Sequence, residues 1–391
     1  MADVFTRRLD WNLHPNRISE ALARRRAQGL PILDLTESNP TTAGLDYPAA
    51  EIAAAFDIPA ALVYQPAPAG LAQARETVAA YYAGRGVAVD PGQILMTAST
   101  SEAYAYLFKL LADPGDEILA PRPSYPLFEF LAGLESVRLV HYPLLYDHGW
   151  MIDFARLGEA TSAGARAVVI VNPNNPTGSF IKREELEQLV DFCAQRGLAI
   201  IADEVFSDYT FGADPWRVET LASVTGVLTF SLSGLSKVSG LPQMKLGWIV
   251  AGGPPELRQT ALERLELIAD TYLSVGAPVQ HAFPRLLPAG VKVKHQIQLR
   301  TETNLSFLRS SMTRDSACRA LPVEGGWYAV LQVPRVHTEE EWTLALLDRD
   351  GVLVQPGFFF DFESEAYLVV SLLTESGVFQ EGIRRLLGRC G

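Results

Sequence analysis

The feature that most constrains the fold is a regular succession of short apolar, β-branched segments separated by stretches of helix length. The apolar segments occupy residues 94–96, 117–120, 137–142, 167–171, 198–202, 227–232 and 246–251. The stretches between them, such as 102–112 and 182–195, are amphipathic. Apolar strands alternating with helices are typical of a mostly parallel sheet covered on both faces. We therefore predict an α/β fold with a seven-stranded, mostly parallel sheet.

One connection in this succession is barely long enough for a parallel crossover and shows no helix-length segment. Only thirteen residues, rich in Gly, Ser and Pro, separate Leu232 from Leu246. A parallel connection needs a dozen or more residues and usually a helix. We therefore expect the 246–251 strand to be antiparallel to its neighbour. This places Lys237 in the turn at the carboxyl end of the 227–232 strand, where open α/β sheets bind ligands.

The pattern changes in the C-terminal third of the chain, after Gly326. Short strands alternate there with helices, at residues 327–333, 338–350, 352–355, 367–372 and 379–387. This pattern indicates a smaller α+β domain, which we expect to include the N-terminal residues. The predicted division is a large domain at 45–276 and a small domain formed by 1–44 and 277–391.

Composition excludes several classes of partner. The formal net charge of −12 argues against nucleic acid and against an anionic membrane surface. Cys193, Cys318 and Cys390 lie far apart with no paired spacing, which favours a reducing compartment and no metal site. The first residues lack the apolar core of a signal peptide, and no window approaches eighteen uninterrupted apolar residues. We expect a cytoplasmic protein that does not enter a membrane.

Polar and aromatic residues follow the first two strands. Ser99 and Glu102 form a capping box, which predicts a helix start, and Thr100 and Ser101 add hydroxyl groups there. Hydroxyls and free N–H groups at a helix N-terminus suit a phosphate, although such a motif alone is more often only a cap. Tyr125 lies between prolines and could stack on a planar ring, or serve only in packing.

Two further strand ends carry an amide and a carboxylate. The turn Asn-Pro-Asn-Asn-Pro-Thr-Gly at 172–178 is specific, and its Asn175 can hydrogen-bond a phenolic oxygen. Asp203 comes directly after a buried apolar strand, where a carboxylate is costly unless it is paired. A protonated pyridine nitrogen would be such a partner, and a role as a helix cap is the equal alternative.

Lys237 lies in a Ser- and Gly-rich stretch with a second cation, Lys245, close behind it. A lysine beside small residues suits covalent bonding to a flat, phosphorylated aldehyde. The hydroxyl of Ser236 and the charge of Lys245 would then hold the phosphate. Taken alone, a lysine in such a loop is more often simply solvated.

Taken together, these motifs resemble the fold-type I enzymes of pyridoxal 5′-phosphate, in particular the class I/II aminotransferases. The resemblance runs from Tyr64 to the C-terminal helix. It implies an aminotransferase that exchanges an amino group between an amino acid or amine and a 2-oxo acid through a Schiff base on Lys237. It also implies a homodimer.

The resemblance assigns roles to individual residues. It implies that Lys237 carries the proton between the substrate Cα and the cofactor, and that Asp203 pairs with the pyridinium nitrogen. Asn175 would bond the ring oxygen and contact substrate, and Tyr125 would stack on the ring. The residues implied to hold the phosphate are Ser99, Thr100, Ser101, Ser236 and Lys245.

Two further segments resemble parts of the family that lie at the edge of the site. Tyr64 resembles the tyrosine that crosses a dimer interface to the neighbour's phosphate. Ser38 and Asn39, which precede Pro40, resemble the N-terminal loop that closes over the substrate.

Three positions depart from the family pattern. The cation at the phosphate is Lys245 rather than Arg, which can form a bidentate pair. Phe206 stands where the family has a tyrosine that hydrogen-bonds the cofactor. Val369 occupies the place of the arginine that anchors the substrate α-carboxylate. Either another cation such as Arg122 supplies this anchor, or the substrate lacks a free α-carboxylate or is held mainly through its other end.

Two rival functions remain open on the sequence. The same scaffold could run another reaction, as a β-lyase, a decarboxylase or a cyclising synthase. It could also be a non-catalytic sensor that binds pyridoxal 5′-phosphate.

Overall fold

A computed structural model of the protein describes residues 4–12, 14–313 and 316–391. Its strands are β1 (Leu33–Asp34), β2 (Ile94–Thr97), β3 (Glu117–Arg122), β4 (Arg138–Tyr146), β5 (Trp150–Ile152), β6 (Ala165–Val171), β7 (Ala199–Asp203), β8 (Thr229–Gly234), β9 (Gly247–Gly252), β10 (Arg319–Ala320), β11 (Tyr328–Gln332), β12 (Val352–Leu353), β13 (Gln355–Pro356) and β14 (Tyr367–Ser371). Its α-helices are α1 (Arg17–Ala27), α2 (Ala49–Ala54), α3 (Ala72–Ala83), α4 (Thr100–Leu111), α5 (Phe128–Leu134), α6 (Phe154–Ala160), α7 (Arg183–Arg196), α8 (Leu235–Val238), α9 (Pro255–Tyr272), α10 (Ala277–Ser310), α11 (Glu339–Ala345) and α12 (Ser376–Cys390).

The largest sheet has the strand order β2-β9-β8-β7-β6-β3-β4-β5. Strands β4, β3, β6, β7 and β8 pair in parallel, and β9 is antiparallel to both of its neighbours. The α/β prediction and the antiparallel strand are therefore confirmed. The predicted number of seven strands was wrong, because β5 adds an eighth, antiparallel to β4. This strand has only three residues, too few to show a periodic pattern in the sequence.

Both faces of the central strands are buried, which explains the apolar sequences of β6 and β7. On one face α4 and α9 cover the sheet with Phe108 and Leu265, and on the other α7 contributes Leu189 and Cys193. Alternate residues of β3, β6 and β7 belong to these two cores, whereas β8 places Phe230 and Leu232 in the first core and the buried polar Ser231 and Ser233 on its other face.

A second, smaller sheet has the order β10-β11-β14-β13 and is antiparallel throughout. It shares an apolar core with α12 and with the C-terminal part of α10, through Leu305 and Leu308. The first part of α10 packs elsewhere, since Phe283 and Leu286 join a core with α3 and β9. The long helix therefore contributes to both cores. Strand β1 pairs in parallel with β12, which ties the N-terminal segment to the C-terminal third.

Cys318 and Cys390 form a disulfide between the segment before β10 and the end of α12. The interpretation of these cysteines as unpaired was wrong, because 72 residues separate them and the fold alone brings them together. Cys193 is free and buried. Among the helices of the described residues, none has the length and apolar character to span a membrane.

The pairing register brings several strand ends to the same edge of the large sheet. Thr97 at the end of β2 lies opposite Gly247, which in turn lies opposite Gly234 at the end of β8. Asp203 at the end of β7 lies opposite Val171 at the end of β6. The loops that follow these four strands therefore start from one line, and they carry most of the candidate site residues.

Candidate active site

Lys237 lies in α8, a single helical turn directly after β8, and not in an open loop as predicted. The turn begins at Gly234, where an added Cβ would meet Leu246 O at 2.8 Å. Tyr209 donates a hydrogen bond from its hydroxyl to Lys237 O at 2.6 Å, which fixes the turn. The lysine Nζ lies 4.5 Å from the ring of Trp327 and 5.3 Å from that of Phe206.

The amine of Lys237 is held in a state that favours nucleophilic attack. Burial lowers the pKa of Lys237 to about 8, and the nearby charge of Asp203 opposes this shift. Within the described chain, no hydrogen bond or ion pair engages its Nζ. A larger fraction of the amine is therefore neutral near physiological pH than in an exposed lysine.

Asp203 is a buried carboxylate with both oxygen atoms hydrogen-bonded. The Val205 N–H donates to Oδ1 at 3.2 Å, and the Tyr104 hydroxyl donates to Oδ2 at 3.1 Å. Burial raises the pKa of Asp203 to about 6, and these two bonds and Lys237 oppose the rise. The next element after Asp203 is β8, so the carboxylate does not cap a helix. A cation that met this carboxylate would be strongly favoured.

The turn at 172–178 is held by two of its three asparagines. Asn172 accepts from Ile181 N and donates to Val218 O, and Asn174 accepts from the Thr177 hydroxyl. Asn175 differs, because its Oδ1 is buried and has no partner among the described residues. An orphaned amide in an otherwise satisfied turn is available to a ligand.

The N-terminus of α4 carries the groups expected to bind an anion. Ser99 accepts the Glu102 N–H at 3.1 Å, and Glu102 reaches back to Ala98 N rather than to Ser99 as in a regular capping box. Within the described chain, the hydroxyls of Thr100 and Ser101 bond no other group. Free hydroxyls and N–H groups at the positive end of a helix bind phosphate.

The start of β9 lies against the start of α4. Gly247 approaches it closely, since a Cβ there would meet Thr97 Oγ1 at 3.1 Å and Ser99 C at 3.3 Å. Lys245 has a φ of 51°, a conformation that costs a residue with a side chain about 1–2 kcal/mol. It is exposed, and no ion pair engages it in the described part of the chain. Ser236 stands between Leu235 and Lys237 in the facing turn.

Aromatic residues lie near Lys237 and Asp203. Tyr125 is 43% exposed and packs edge-on against Phe128 at 6.3 Å. Phe206 packs against Trp327, and Tyr328 lies 6.3 Å from Phe206. Burial of its hydroxyl raises the pKa of Tyr328 to about 12.

Of the two N-terminal loop residues predicted to contact the substrate, only Ser38 lies beside these aromatic residues. A hydrogen bond with Ser38 opposes the rise in the pKa of Tyr328, so Ser38 lies at its hydroxyl. The side chain of Asn39 instead accepts from Thr41 N and Thr41 Oγ1, within its own turn.

Three residues singled out in the sequence lie apart from this group or are engaged elsewhere. Tyr64 is 78% exposed. Val369 is fully buried in an apolar cluster that includes Trp150. Arg122, the alternative carboxylate anchor, pairs with Glu363, whose second oxygen pairs with Arg156 at 2.8 Å.

Sequence reasoning missed three residues of the site. Tyr104 contacts Asp203, Tyr209 fixes the Lys237 turn, and Trp327 lies beside the lysine amine. Tyr104 looks like an ordinary core residue of an amphipathic helix, and nothing local reveals its partner. Trp327 has one signal, the Gly325-Gly326 pair that precedes it at the start of a strand.

The residues present fit pyridoxal 5′-phosphate. Within the described residues, no hydrogen bond engages the amine of Lys237, the side-chain amide of Asn175, whose Nδ2 could donate to a ring oxygen, or the hydroxyls of Thr100 and Ser101. The buried carboxylate of Asp203 supplies a negative charge for a pyridinium nitrogen. Phosphate, ring nitrogen, ring oxygen and aldehyde therefore each have a complementary group along one sheet edge.

Comparison with known proteins gives the same picture across nearly the whole chain. The family model described as aminotransferase class I and II matches residues 31–385. A glutamate-pyruvate aminotransferase of Haemophilus influenzae is 28% identical over 378 residues, covering 94% of this chain and 92% of that protein. An alanine aminotransferase of Mycobacterium tuberculosis is 27% identical over 380 residues, covering 94% and 88%.

Solved structures share the fold. An aminotransferase from Escherichia coli superimposes with a TM-score of 0.83 at 23% identity, over 98% of this chain and 97% of that one. An alanine aminotransferase from Pyrococcus furiosus superimposes with a TM-score of 0.85 at 21% identity, over 95% of each chain.

Proposed function

The chain belongs to the class I and II aminotransferases, and from this premise we propose that Lys237 is the residue at which its pyridoxal 5′-phosphate-dependent transamination takes place. The observation that carries this assignment is a partly buried amine with a lowered pKa, beside a buried carboxylate and an anion site. When bound, the cofactor supplies an aldehyde that bonds a primary amine and a ring that accepts electrons from Cα.

The residues around Lys237 would divide the work between them. Lys237 Nζ would take the proton from the substrate Cα and return it on the other side of the exchange. Asp203 would hold the ring nitrogen in its protonated form, and Asn175 the ring oxygen. Tyr125 would cover one face of the ring. The N-terminus of α4, with Ser236 and Lys245, would hold the phosphate.

Borohydride reduction followed by peptide mapping tests this assignment. The purified protein should be yellow, and reduction should fix the cofactor covalently on Lys237. Lys245→Ala is the control, because it removes the second cation of the loop and should leave the label on Lys237. A label recovered on Lys245 in the unmodified protein would contradict the assignment.

We propose that the substrates are an amino acid or amine and a 2-oxo acid, with a donor other than the common dicarboxylic amino acids. The relatives are named for glutamate, pyruvate and alanine, but two features of this chain argue for a different donor. Val369 is enclosed by apolar side chains, and Arg122 is neutralised by Glu363. A carboxylate in a buried site needs a partner of opposite charge.

The apolar cluster that contains Val369 is connected to the aromatic residues beside Lys237. Tyr328 packs both against the cluster of Val369 and Trp150 and against the cluster of Phe206 and Trp327. An apolar substituent of the substrate would be stabilised along this surface. A screen of amines and amino acids for conversion of the cofactor to its amino form would identify the donor, and dependence on a 2-oxo acid would separate transamination from β-elimination or decarboxylation.

We propose that the active unit is a homodimer in the cytoplasm. Support for the dimer comes from Leu62, Val63 and Tyr64, which are 90%, 64% and 78% exposed in the single chain. Three consecutive exposed apolar side chains are typical of a contact surface. The Cys318–Cys390 disulfide is more typical of an oxidising compartment, so thiol alkylation in intact cells tests the proposal: reaction of both cysteines would support the cytoplasm, and a retained disulfide would contradict it.

We also propose the division into a large domain at 45–276 and a small domain at 1–44 with 277–391. The two sheets have separate cores, which supports two units. The boundary at 277 marks the start of α10, the helix that packs in both. Limited proteolysis that cuts first at both boundaries would support the division.

A further inference from the structure

We propose that Tyr104 is a positioning residue that fixes the Asp203 carboxylate and couples it to the anion site at the start of α4. The inference rests on the role proposed above for Asp203. The Tyr104 hydroxyl donates to Asp203 Oδ2 at 3.1 Å, and the two side chains are 2% and 8% exposed. In the described chain, it is the one side chain that hydrogen-bonds this carboxylate.

The bond restricts the orientation of the carboxylate. Val205 N–H holds Oδ1 and Tyr104 holds Oδ2, so rotation of the carboxylate plane would break at least one of the two bonds. Each carboxylate oxygen accepts more than one hydrogen bond, which leaves acceptor capacity for a ligand. Donation to an ionised acceptor is also stronger than donation to a neutral one. Tyr104 therefore favours the charged form that a pyridinium nitrogen requires.

The position of Tyr104 on α4 connects this carboxylate to the anion site. Tyr104 comes four residues after Thr100, so the two side chains lie on the same face of the helix, one turn apart. The first turn of the helix would offer the N–H groups of Thr100 and Ser101 to a phosphate, and the second turn offers Tyr104 to Asp203. Because a helix is stiff over this distance, one element sets the spacing between the phosphate site and the carboxylate.

Aromatic packing fixes the ring of Tyr104 independently of its hydroxyl. The ring packs edge-on against Phe128 at 5.2 Å, and Phe128 in turn packs edge-on against Tyr125 at 6.3 Å. Tyr104 also lies 5.8 Å from Phe108 in the helix itself. Removal of the hydroxyl alone should therefore leave the ring in place, which makes Tyr104→Phe a clean test.

The matched control is Tyr142→Phe, because the buried Tyr142 hydroxyl donates to Val169 O at 2.7 Å and does not touch Asp203. Both variants lose one buried hydroxyl hydrogen bond. Binding of pyridoxal 5′-phosphate to the cofactor-free protein should be about tenfold weaker in Tyr104→Phe, the effect of one lost hydrogen bond to a charged group. It should be unchanged in Tyr142→Phe.

A titration provides a second readout that does not depend on the cofactor. The carboxyl carbon of Asp203, followed by NMR in the cofactor-free protein, should titrate at a higher pH in Tyr104→Phe than in the wild type. Replacement of Tyr104 by fluorotyrosine, a stronger donor with the same ring, should move the titration to a lower pH. Wild-type affinity and an unshifted titration in Tyr104→Phe would overturn the inference.

Asp203→Asn separates this inference from the proposed function. If Asp203→Asn weakens cofactor binding and Tyr104→Phe does not, Tyr104 is a packing residue and the role of Asp203 stands. If Asp203→Asn binds the cofactor like the wild type, the role of Asp203 itself is wrong.

Discussion

At the residue scale, the charged form of Lys237 destabilises the protein before any cofactor binds. Burial lowers its pKa from the ordinary 10.5 to about 8, so the folded state disfavours the proton. Above pH 10.5 the amine is neutral in both the folded and the unfolded state and does not reduce stability. As the pH falls from 10.5 through about 8, the unfolded state binds the proton more readily than the folded state, and this stability is lost. At pH 7 the charged amine therefore opposes folding.

Lys237→Met should accordingly stabilise the cofactor-free protein at pH 7 by about 1–2 kcal/mol. The gain should shrink as the pH rises from 8 towards 10.5, and thermal unfolding across that range measures it. The exposed Lys245→Met is the control and should change the free energy of unfolding by less than about 0.5 kcal/mol. Equal stability of Lys237→Met and wild type at pH 7 would show that the amine is well solvated.

Val369 supports a second prediction at the residue scale. A bidentate arginine–carboxylate pair is strong and sets orientation, and Val369 offers neither. We expect aspartate and glutamate to be poor donors, with KM well above the ~1 μM–1 mM common for enzymes. Steady-state kinetics with each amino acid checks this, and Val369→Arg should not improve turnover of the true substrate.

Glu363→Gln extends this test to the alternative anchor. It would release Arg122 from its carboxylate partner, and we expect KM for glutamate to stay high. Efficient turnover of aspartate or glutamate by the unmodified protein would show that another cation anchors the carboxylate.

Local motifs made several residues of the candidate site predictable, because Lys237, Asp203 and Asn175 each lie at or after the end of an apolar strand. Tyr104 was not predictable, since its partner lies 99 residues away and its own helix presents it as a core residue. The ion pair between Arg122 and Glu363 was likewise not predictable, because the two residues are 241 positions apart and only the tertiary structure brings them together. The sequence shows which polar groups end strands, and the fold decides which of them meet.

At the element scale, the turn that carries Lys237 depends on a close backbone approach. A Cβ at Gly234 would meet Leu246 O at 2.8 Å and Gly247 Cα at 3.0 Å, so β8 and β9 would have to separate. Gly234→Ala should lower the free energy of unfolding by about 1–3 kcal/mol, the usual cost of overpacking. Chemical denaturation measures the change.

Gly133→Ala is the matched control for this substitution. Gly133 lies in α5, and a Cβ there meets nothing within 4 Å. Alanine in place of a helical glycine should stabilise by about 0.5–1 kcal/mol. A neutral Gly234→Ala would mean that the strands accommodate the methyl group.

The connection between β8 and β9 was predictable in its direction but not in its local structure. Its thirteen residues, rich in Gly, Ser and Pro, argued against a parallel crossover, and β9 is antiparallel as expected. The single turn α8 was missed, because four residues carry no helical periodicity. The strand β5 was missed for the same reason. Length and composition predict the long elements, and local backbone hydrogen bonds decide the short ones.

At the scale of the whole molecule, the exposed Tyr64 supports a site shared between two protomers. Mixing Tyr64→Phe and Lys237→Ala protomers tests this. If each site combines Lys237 of one protomer with Tyr64 of the other, a mixed dimer has one site free of both substitutions and one that carries both. When activity is divided by the amount of Lys237 present, the mixture should then be more active than the Tyr64→Phe protein alone.

Two controls make this test decisive. Trp216→Phe, at a position 62% exposed and outside the proposed contact surface, replaces Tyr64→Phe in a parallel mixture and should give no gain. Exchange between protomers is verified separately by mass spectrometry of the mixed species. With exchange complete, activity strictly proportional to the amount of Tyr64→Phe protomer would mean that each chain builds its site alone, and the exposure of Tyr64 would then need another partner.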